Sequence, residues 1–202
     1  MVTKKRVEGL LHFWGLEQEQ IMDIYYEGTG NRNESAYYIG KDYVLKFTAN
    51  LGKLKSHIAI SKAMEGVGLT AAVPVQTVDG QEYVADGDLY YCLTKRLQGA
   101  QLKVEELYED DYTDKARFVG EILGQLSLAL AQVDAVLEEP NLYESAVNYA
   151  IPKLKGKITV PEEIFKGYEE EFAVLYPALT KQVIHRDPNP GNVILADGSW
   201  GF

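Results

Sequence analysis

Hydrophobic and polar residues alternate through much of the first half of the chain, which is the pattern of half-buried β-strands. Runs rich in aromatic and β-branched residues predict five strands, at residues 22–27, 35–39, 43–48, 73–78 and 89–93. A helix is predicted at residues 54–65, because Gly66 and Gly68 follow it as stop signals. We therefore expect a compact, strand-rich lobe over residues 1–95.

The predicted strand at residues 43–48 has two distinct faces, because successive side chains of a strand point in opposite directions. One face carries Tyr43, Leu45 and Phe47, and the other carries Val44, Lys46 and Thr48. A core that takes the first triplet leaves Lys46 projecting from the opposite surface of the sheet.

Hydrophobic residues recur at spacings of three and four after Gly99, which indicates helices. Further helices are predicted at residues 141–151, stopped by Pro152, and at residues 161–176, where Pro161 precedes two glutamates. The chain is thus predicted to be an α+β protein, with a partial helical lobe over residues 96–202.

The composition narrows the functional classes. The 202 residues include 30 acidic and 20 basic side chains, so the net charge is −10 and the basic face of a nucleic-acid-binding protein is not expected. No apolar run approaches the roughly 18 residues that a membrane helix needs, and no signal peptide is visible, so we expect a cytoplasmic protein without nucleic-acid or membrane partners. Cys92 is the only cysteine and is predicted to be a small buried side chain.

The strongest candidate for chemistry is the segment of residues 183–195, in which two short β-type apolar runs flank a polar loop. Two prolines and a glycine exclude a helix in this loop, and the prolines make it stiff. A stiff loop can hold a carboxylate within hydrogen-bond range of a substrate hydroxyl. Asp187 is the predicted proton acceptor, and Asn192 offers a neutral oxygen to Mg²⁺.

The spacing of His185, Asp187 and Asn192 resembles the catalytic loop of the aminoglycoside phosphotransferase and choline kinase family, which are small-molecule relatives of protein kinases. The resemblance implies a two-lobe, protein-kinase-like fold that uses ATP and Mg²⁺. It also implies transfer of the γ-phosphate to a hydroxyl of a small molecule, with Asp187 orienting or deprotonating the acceptor and Asn192 binding the metal. Asn189 departs from the lysine of protein kinases and from the histidine of many small-molecule kinases, so the acceptor stays open.

The strand at residues 43–48 resembles the lysine motif of this family, which implies that Lys46 holds the α- and β-phosphates beside Val44. The family pairs this lysine with a glutamate on the following helix, and His57 stands near that place. A neutral imidazole can form a hydrogen bond with the lysine but supplies no fixed negative charge. Glu65, two turns later, is the alternative partner.

Two further segments stand in the order that the family implies. The loop that contains Gly28 and Gly30 would cover the nucleotide, although a plain hairpin turn explains its sequence equally well. The segment from Thr94 to Leu97 would be the hinge whose backbone meets adenine.

The chain ends at Phe202, before the aspartate that the resemblance places just beyond as a second metal ligand. From this we expect an incomplete carboxyl-terminal lobe, a poor kinase even where a longer parent is active, and apolar surface that favours self-association. Two alternatives stay open. One is an inactive, pseudokinase-type chain that binds nucleotide or a partner, which His57 favours. The other is a protein kinase, although the Pro-Gly-Asn end of the loop is evidence against this alternative.

Overall fold

The computed structural model of the protein describes residues 2–26, 29–103, 105, 112–133, 142–155, 157–159, 161–184, 190–196 and 199–201. The chain forms two compact units. The first comprises Met1–Val136 and Val183–Phe202, and the second comprises Leu137–Gln182. The candidate site residues that the structure describes all belong to the first unit. The lobe boundary expected between residues 95 and 96 stays a prediction.

The first unit is built on an antiparallel sheet whose described strands have the order β1-β2-β3-β5-β4. Their bounds are β1 Ile21–Tyr25, β2 Arg32–Ile39, β3 Tyr43–Thr48, β4 Val84–Asp86 and β5 Leu89–Lys95. Four of the five predicted strands are confirmed, and β3 begins and ends where the sequence predicts.

The strand predicted at residues 73–78 is wrong. Pro74 forms an isolated bridge with Thr94, and the Val75 N–H donates to the Leu93 carbonyl at 2.8 Å, but no strand follows. Pro74 has no N–H to donate to a ladder, so the segment touches the edge of β5 and leaves it. The edge is completed by β4 instead, which is joined to β5 by a tight turn through Gly87 at φ +59°.

One face of the sheet carries the main core of the unit. Tyr37, Leu45 and Leu93 are cross-strand partners on this face, and each is at most 2% exposed. The face is covered by α1 (Lys4–Glu8) and by a 3₁₀ turn at Leu11–Trp14, which contribute apolar side chains to the same cluster. Burial of Leu45 confirms the face that the alternation assigns to the core.

The opposite face is covered by α2 (Leu51–Gly66). The helix begins at Asn50, whose side-chain oxygen accepts from the Lys53 N–H at 2.8 Å and satisfies one of the free donors of the first turn. Leu54 and Ile58 pack against Cys92 of β5. The predicted helix is confirmed, and its true start lies almost one turn earlier because the asparagine cap, not Leu54, begins it.

The remaining part of the first unit consists of α3 (Tyr112–Ala131) and a small antiparallel sheet. Apolar residues of α3 pack against the end of α2 and the segment after it. The small sheet is formed by β6 Ala100–Gln101, β7 Ile194–Ala196 and β8 Ser199–Gly201. The antiparallel return of β8 along β7 agrees with the hairpin expected near the end of the sequence, and β6 is an addition that the sequence did not reveal. Residues 183–184, the first apolar run flanking the polar loop, form no strand.

The second unit is helical, with α4 Leu142–Ser145, a π-helical turn at Ala146–Ala150, α5 Ile151–Lys155 and α6 Glu162–Leu175. The stop predicted at Pro152 is wrong, because α5 continues through it. The wider π-helical turn directly before Pro152 accommodates the missing donor and the clash of the proline ring with the carbonyl four residues earlier. The helix start predicted at Pro161 is confirmed, with Pro161 as the residue before the first turn.

Across the described residues, no helix combines the length and the apolar character needed to span a bilayer.

Candidate functional site

Lys46 lies at the centre of the sheet, on the face that α2 covers. It is paired across the sheet with Ala36 of β2 on one side and with Cys92 of β5 on the other. Because directly opposed residues share a face, these three side chains form one row. The neighbouring residue Leu45 is completely buried in the other face. The alternation therefore puts the lysine on the surface that the sequence predicts.

A cavity of about 370 Å³ opens on this face. Its volume lies near the lower end of the range of about 300–1,000 Å³ that is usual for ligand pockets. Strands β2 and β3 supply one side and the first two turns of α2 supply the other, with the segment between them. The lining residues are Asn33, Ser35, Ala36, Lys46, Phe47, Thr48, Lys53, Leu54 and His57.

The charge of Lys46 is uncompensated by any described residue, since no ion pair to its ammonium group is found within the part of the chain that the structure describes. The Lys46 side chain is accessible to solvent, and the protein around it lowers its pKa below the ordinary 10.5, because partial desolvation disfavours the charged form. Cys92 acts weakly in the opposite direction. An ammonium group that has no ion pair and a lowered pKa is stabilised when an anion binds beside it.

His57 of α2 lines the same cavity as Lys46, so the structure brings together the two residues that the sequence singled out. His57 is also accessible to solvent, and partial desolvation lowers its pKa to about 4, with the nearby Lys46 ammonium acting in the same direction. The imidazole is therefore neutral at physiological pH. Glu65 is exposed near the end of α2 and does not line the cavity.

Cys92 lies beside Lys46 on the neighbouring strand and is 1% exposed, as its apolar sequence context predicts. Burial raises the pKa of its thiol to about 11, while the Lys46 ammonium partly offsets this effect. The thiol is protonated and enclosed, so it is a packing residue against Leu54 and Ile58 and not a nucleophile.

The hairpin between β1 and β2 contributes to the cavity through its second strand. Gly30 has φ +66°, and its N–H donates to the Tyr26 carbonyl at 3.0 Å in the turn. Asn33 and Ser35, which sequence analysis missed, follow on β2 and line the cavity. Asn33 precedes the strand predicted at residues 35–39, which begins at Ser35, so no strand pattern singled out the two residues together. Gly28 lies outside the described residues.

Two further residues assigned to nucleotide binding, Val44 and the first hinge residue Thr94, lie on the next row of the same face. Val44 and Thr94 are cross-strand partners, and the Thr94 hydroxyl donates to the Val44 carbonyl at 3.5 Å. This row lies about 7 Å from the row of Lys46, because two residues along a strand span that distance. Leu97 follows the end of β5 in irregular structure and is half-buried.

The loop residues are only partly described. Asn192 ends a short 3₁₀ turn at Pro190–Asn192 and is exposed, and its neutral oxygen is of the kind that Mg²⁺ accepts. Asp187 and His185 lie outside the described residues. No cluster of three or more histidine, cysteine or acidic side chains suited to a metal is found among those that are described. The described part of the chain thus offers one candidate metal ligand and no assembled metal site.

The antiparallel sheet with its lysine-bearing central strand, together with the helices that follow, is the fold of the protein-kinase-like phosphotransferases. The structure of amicoumacin kinase hAmiN in complex with AMP-PNP, Ca²⁺ and Ami is similar over 99% of this chain and 62% of that one, with a TM-score of 0.66 at 14% identity. Spectinomycin phosphotransferase APH(9)-Ia in complex with ADP and spectinomycin is similar over 100% of this chain and 68% of that one, with a TM-score of 0.59 at 11% identity. At these identities the likeness establishes the fold, and the predicted α+β, kinase-like class is confirmed.

The family is established by the sequence as a whole. Residues 28–202 match the model of the phosphotransferase enzyme family, abbreviated APH, and the chain belongs to this family. The resemblance drawn from His185, Asp187 and Asn192 is thereby confirmed. No curated protein matches the chain significantly. The chain spans 62% and 68% of the two solved structures named above.

Proposed function

We propose that this protein is an ATP-dependent small-molecule kinase, which transfers the γ-phosphate of ATP to a hydroxyl group of its substrate. The observation that carries the proposal is the position of Lys46, which pairs with no acid among the described residues, on the wall of a cavity of about 370 Å³ in a chain of the phosphotransferase family. The two similar structures carry AMP-PNP and ADP, which supports a nucleotide as the occupant. The same structures contain Ami and spectinomycin, which supports a small molecule as the acceptor.

The roles proposed for the nucleotide site follow its geometry. Lys46 binds the α- and β-phosphates at the row that it shares with Cys92, while Val44 and Thr94 contact adenine one row further along. Leu97 continues this contact after β5. Gly30, with Gly28, allows the β1–β2 hairpin to approach the phosphates, because glycine adopts positive φ without strain.

The chemical step is assigned to the loop. Asp187 accepts the proton of the substrate hydroxyl or orients this hydroxyl for attack on the γ-phosphate. Asn192 is the proposed ligand for Mg²⁺, which in such sites neutralises the charge that develops on the phosphates. The protein is proposed to act in the cytoplasm, without nucleic-acid or membrane partners.

A second candidate is a chain that binds nucleotide or a partner without catalysis. It is favoured by His57, which stands at the place where the family carries a glutamate and whose imidazole is neutral. The two candidates share the cavity and differ only in turnover.

The test is ATP consumption with a panel of aminoglycosides, amino alcohols and sugars, set beside a generic protein substrate. Acceptor-dependent turnover by the wild type, even at a low rate, that is abolished in Lys46→Met and unchanged in Lys55→Gln is the result expected of a small-molecule kinase. Lys55 is an exposed lysine of α2 that does not line the cavity. Nucleotide binding without turnover on any acceptor would favour the second candidate, and turnover on the protein substrate alone would make the chain a protein kinase.

A further inference from the structure

The cavity around Lys46 has a charge opposite to that of the whole chain. Acidic residues exceed basic ones by 30 to 20, yet the described lining includes Lys46 and no aspartate or glutamate. The long-range field of the protein disfavours anions, so an anion that binds here must be held by local contacts. The cavity is therefore a cationic site within an acidic protein.

The neutral polar side chains of the lining are of kinds that can donate hydrogen bonds to phosphate oxygens. Ser35 donates both its N–H and its hydroxyl to the Asn33 side-chain oxygen, at 2.9 and 3.0 Å. This arrangement leaves the NH₂ group of Asn33 as a donor toward a ligand. Thr48, on the same face as Lys46, adds a hydroxyl group to the lining.

His57 determines how the cation is compensated. A carboxylate at this position would form an ion pair with Lys46, and an incoming phosphate would have to compete with it. The imidazole contributes no charge at neutral pH, because partial desolvation and the Lys46 ammonium lower its pKa to about 4. Lys46 consequently retains its full attraction for an anion, and the phosphate meets no fixed negative charge on the described walls.

We propose that this cavity binds polyphosphate anions directly, with neither a divalent metal ion nor a nucleoside, and that His57 is the positioning residue that makes this possible. The ligand class is the inorganic polyphosphate chain, for which triphosphate is the probe. This inference rests on the proposed function for the location of the phosphates and goes beyond it in removing the requirement for metal at the binding step.

The experiment is calorimetric titration of the whole chain with inorganic triphosphate in the presence of EDTA, alongside titration with AMP-PNP and Mg²⁺. The wild type should bind triphosphate in EDTA, and Lys46→Met should lose this binding. His57→Glu should weaken it by about tenfold or more, because an added carboxylate repels the ligand and pairs with Lys46. His57→Gln restores a neutral hydrogen-bonding side chain and should retain most of the affinity.

Lys55→Gln is the matched control, since it changes the charge of α2 by the same single unit outside the cavity. It should bind triphosphate as the wild type does. An equal loss in Lys55→Gln and His57→Glu would assign the effect to net charge and overturn the role of His57.

The wild-type measurement decides the main claim without relying on the folding of any variant. Binding of AMP-PNP with Mg²⁺ but no binding of triphosphate in EDTA would overturn this inference and leave the proposed function standing. If neither AMP-PNP with Mg²⁺ nor triphosphate binds, both this inference and the proposed function are overturned. Triphosphate binding that Lys46→Met leaves unchanged would place the anion elsewhere and overturn the inference.

Discussion

Lys46 of β3 and His57 of α2 line one cavity, and the ammonium group of the first adds to burial in lowering the pKa of the second to about 4. At neutral pH the pair therefore carries one positive charge and no negative charge. The usual companion of a lysine in a cavity is a carboxylate, because even partial desolvation of an unpaired charge costs free energy. The pair is thus arranged for an anion that arrives from outside, and its properties lead to measurable consequences for binding and for stability.

Stability toward acid should depend on His57. The pKa of its imidazole is about 4 in the folded chain and 6.5 as the ordinary value. Between these values the unfolded chain binds more protons, so the free energy of unfolding should fall as the pH falls below 6.5. His57→Gln removes this titration and should lose less stability than the wild type in urea unfolding between pH 7.5 and about 5.5, a range above the pI of about 4.8 where the net charge still maintains solubility.

His12→Gln is the control for this measurement, because it removes an exposed imidazole from another element. Parallel pH profiles for the wild type and His57→Gln would show that His57 titrates alike in the folded and unfolded chains, contrary to the desolvated site described above.

Anion binding should be accompanied by proton uptake in the alkaline range. Burial lowers the pKa of Lys46 in the free protein, and a bound phosphate would raise it again. Affinity should therefore fall as the pH rises through the lowered pKa. AMP-PNP binding should be measured by calorimetry in two buffers that differ in ionisation enthalpy. The binding heat should differ between the two buffers, both for the wild type and for the control Lys55→Gln. Identical heats in both buffers would mean that Lys46 keeps its proton throughout.

Catalysis should depend on Asp187. Replacement of the proposed proton acceptor by asparagine, Asp187→Asn, should reduce turnover by about 10²–10⁴-fold while the melting curve stays unchanged. The matched control is Asp114→Asn, since Asp114 is an exposed acid whose ion pair with exposed Arg117 contributes little to stability. Turnover near that of the wild type in Asp187→Asn would remove this residue from the catalytic role.

Stability of the small sheet should depend on Gly99. Its φ of +131° is disfavoured for other residues, and an added Cβ would collide with the Leu195 carbonyl group of β7. Gly99→Ala should lower the free energy of unfolding by about 1–3 kcal/mol in urea titration. Gly120→Ala, in α3 with open space around the added atom, should raise it by about 0.5–1 kcal/mol. Equal changes in the two variants would contradict the close approach of Gly99 to β7.

Local patterns account for what could be predicted of the fold. The alternation in Tyr43–Thr48 determines that Leu45 and Lys46 lie on opposite faces, because the side-chain period of a strand is two wherever the strand is placed. The helix start at Pro161 and the end of α2 near Gly66 follow equally local rules. The spacing of His185, Asp187 and Asn192 indicates the family without reference to the fold, because the three residues belong to one short segment.

The predictions of a strand at residues 73–78 and of a helix stop at Pro152 are wrong, because each outcome depends on structure that a local sequence pattern does not show. Residues 73–78 have the composition of a strand, but Pro74 and the competing hairpin of β4 and β5 determine the sheet edge. Helix α5 passes through Pro152 because a π-helical turn precedes it, which no periodicity of three or four residues reveals.

The family, the core-facing side of β3 and the identity of Lys46 as the candidate phosphate ligand can all be inferred from the order of residues along the chain. The folded arrangement was needed to establish that Ala36, Lys46 and Cys92 form one row, and that His57 rather than Glu65 lines the cavity above them. Strand register and the rotation of a helix over a sheet depend on packing between segments far apart in the chain, so local patterns do not specify them. The charge environment of a residue, and hence the neutrality of His57, exists only once those segments have met.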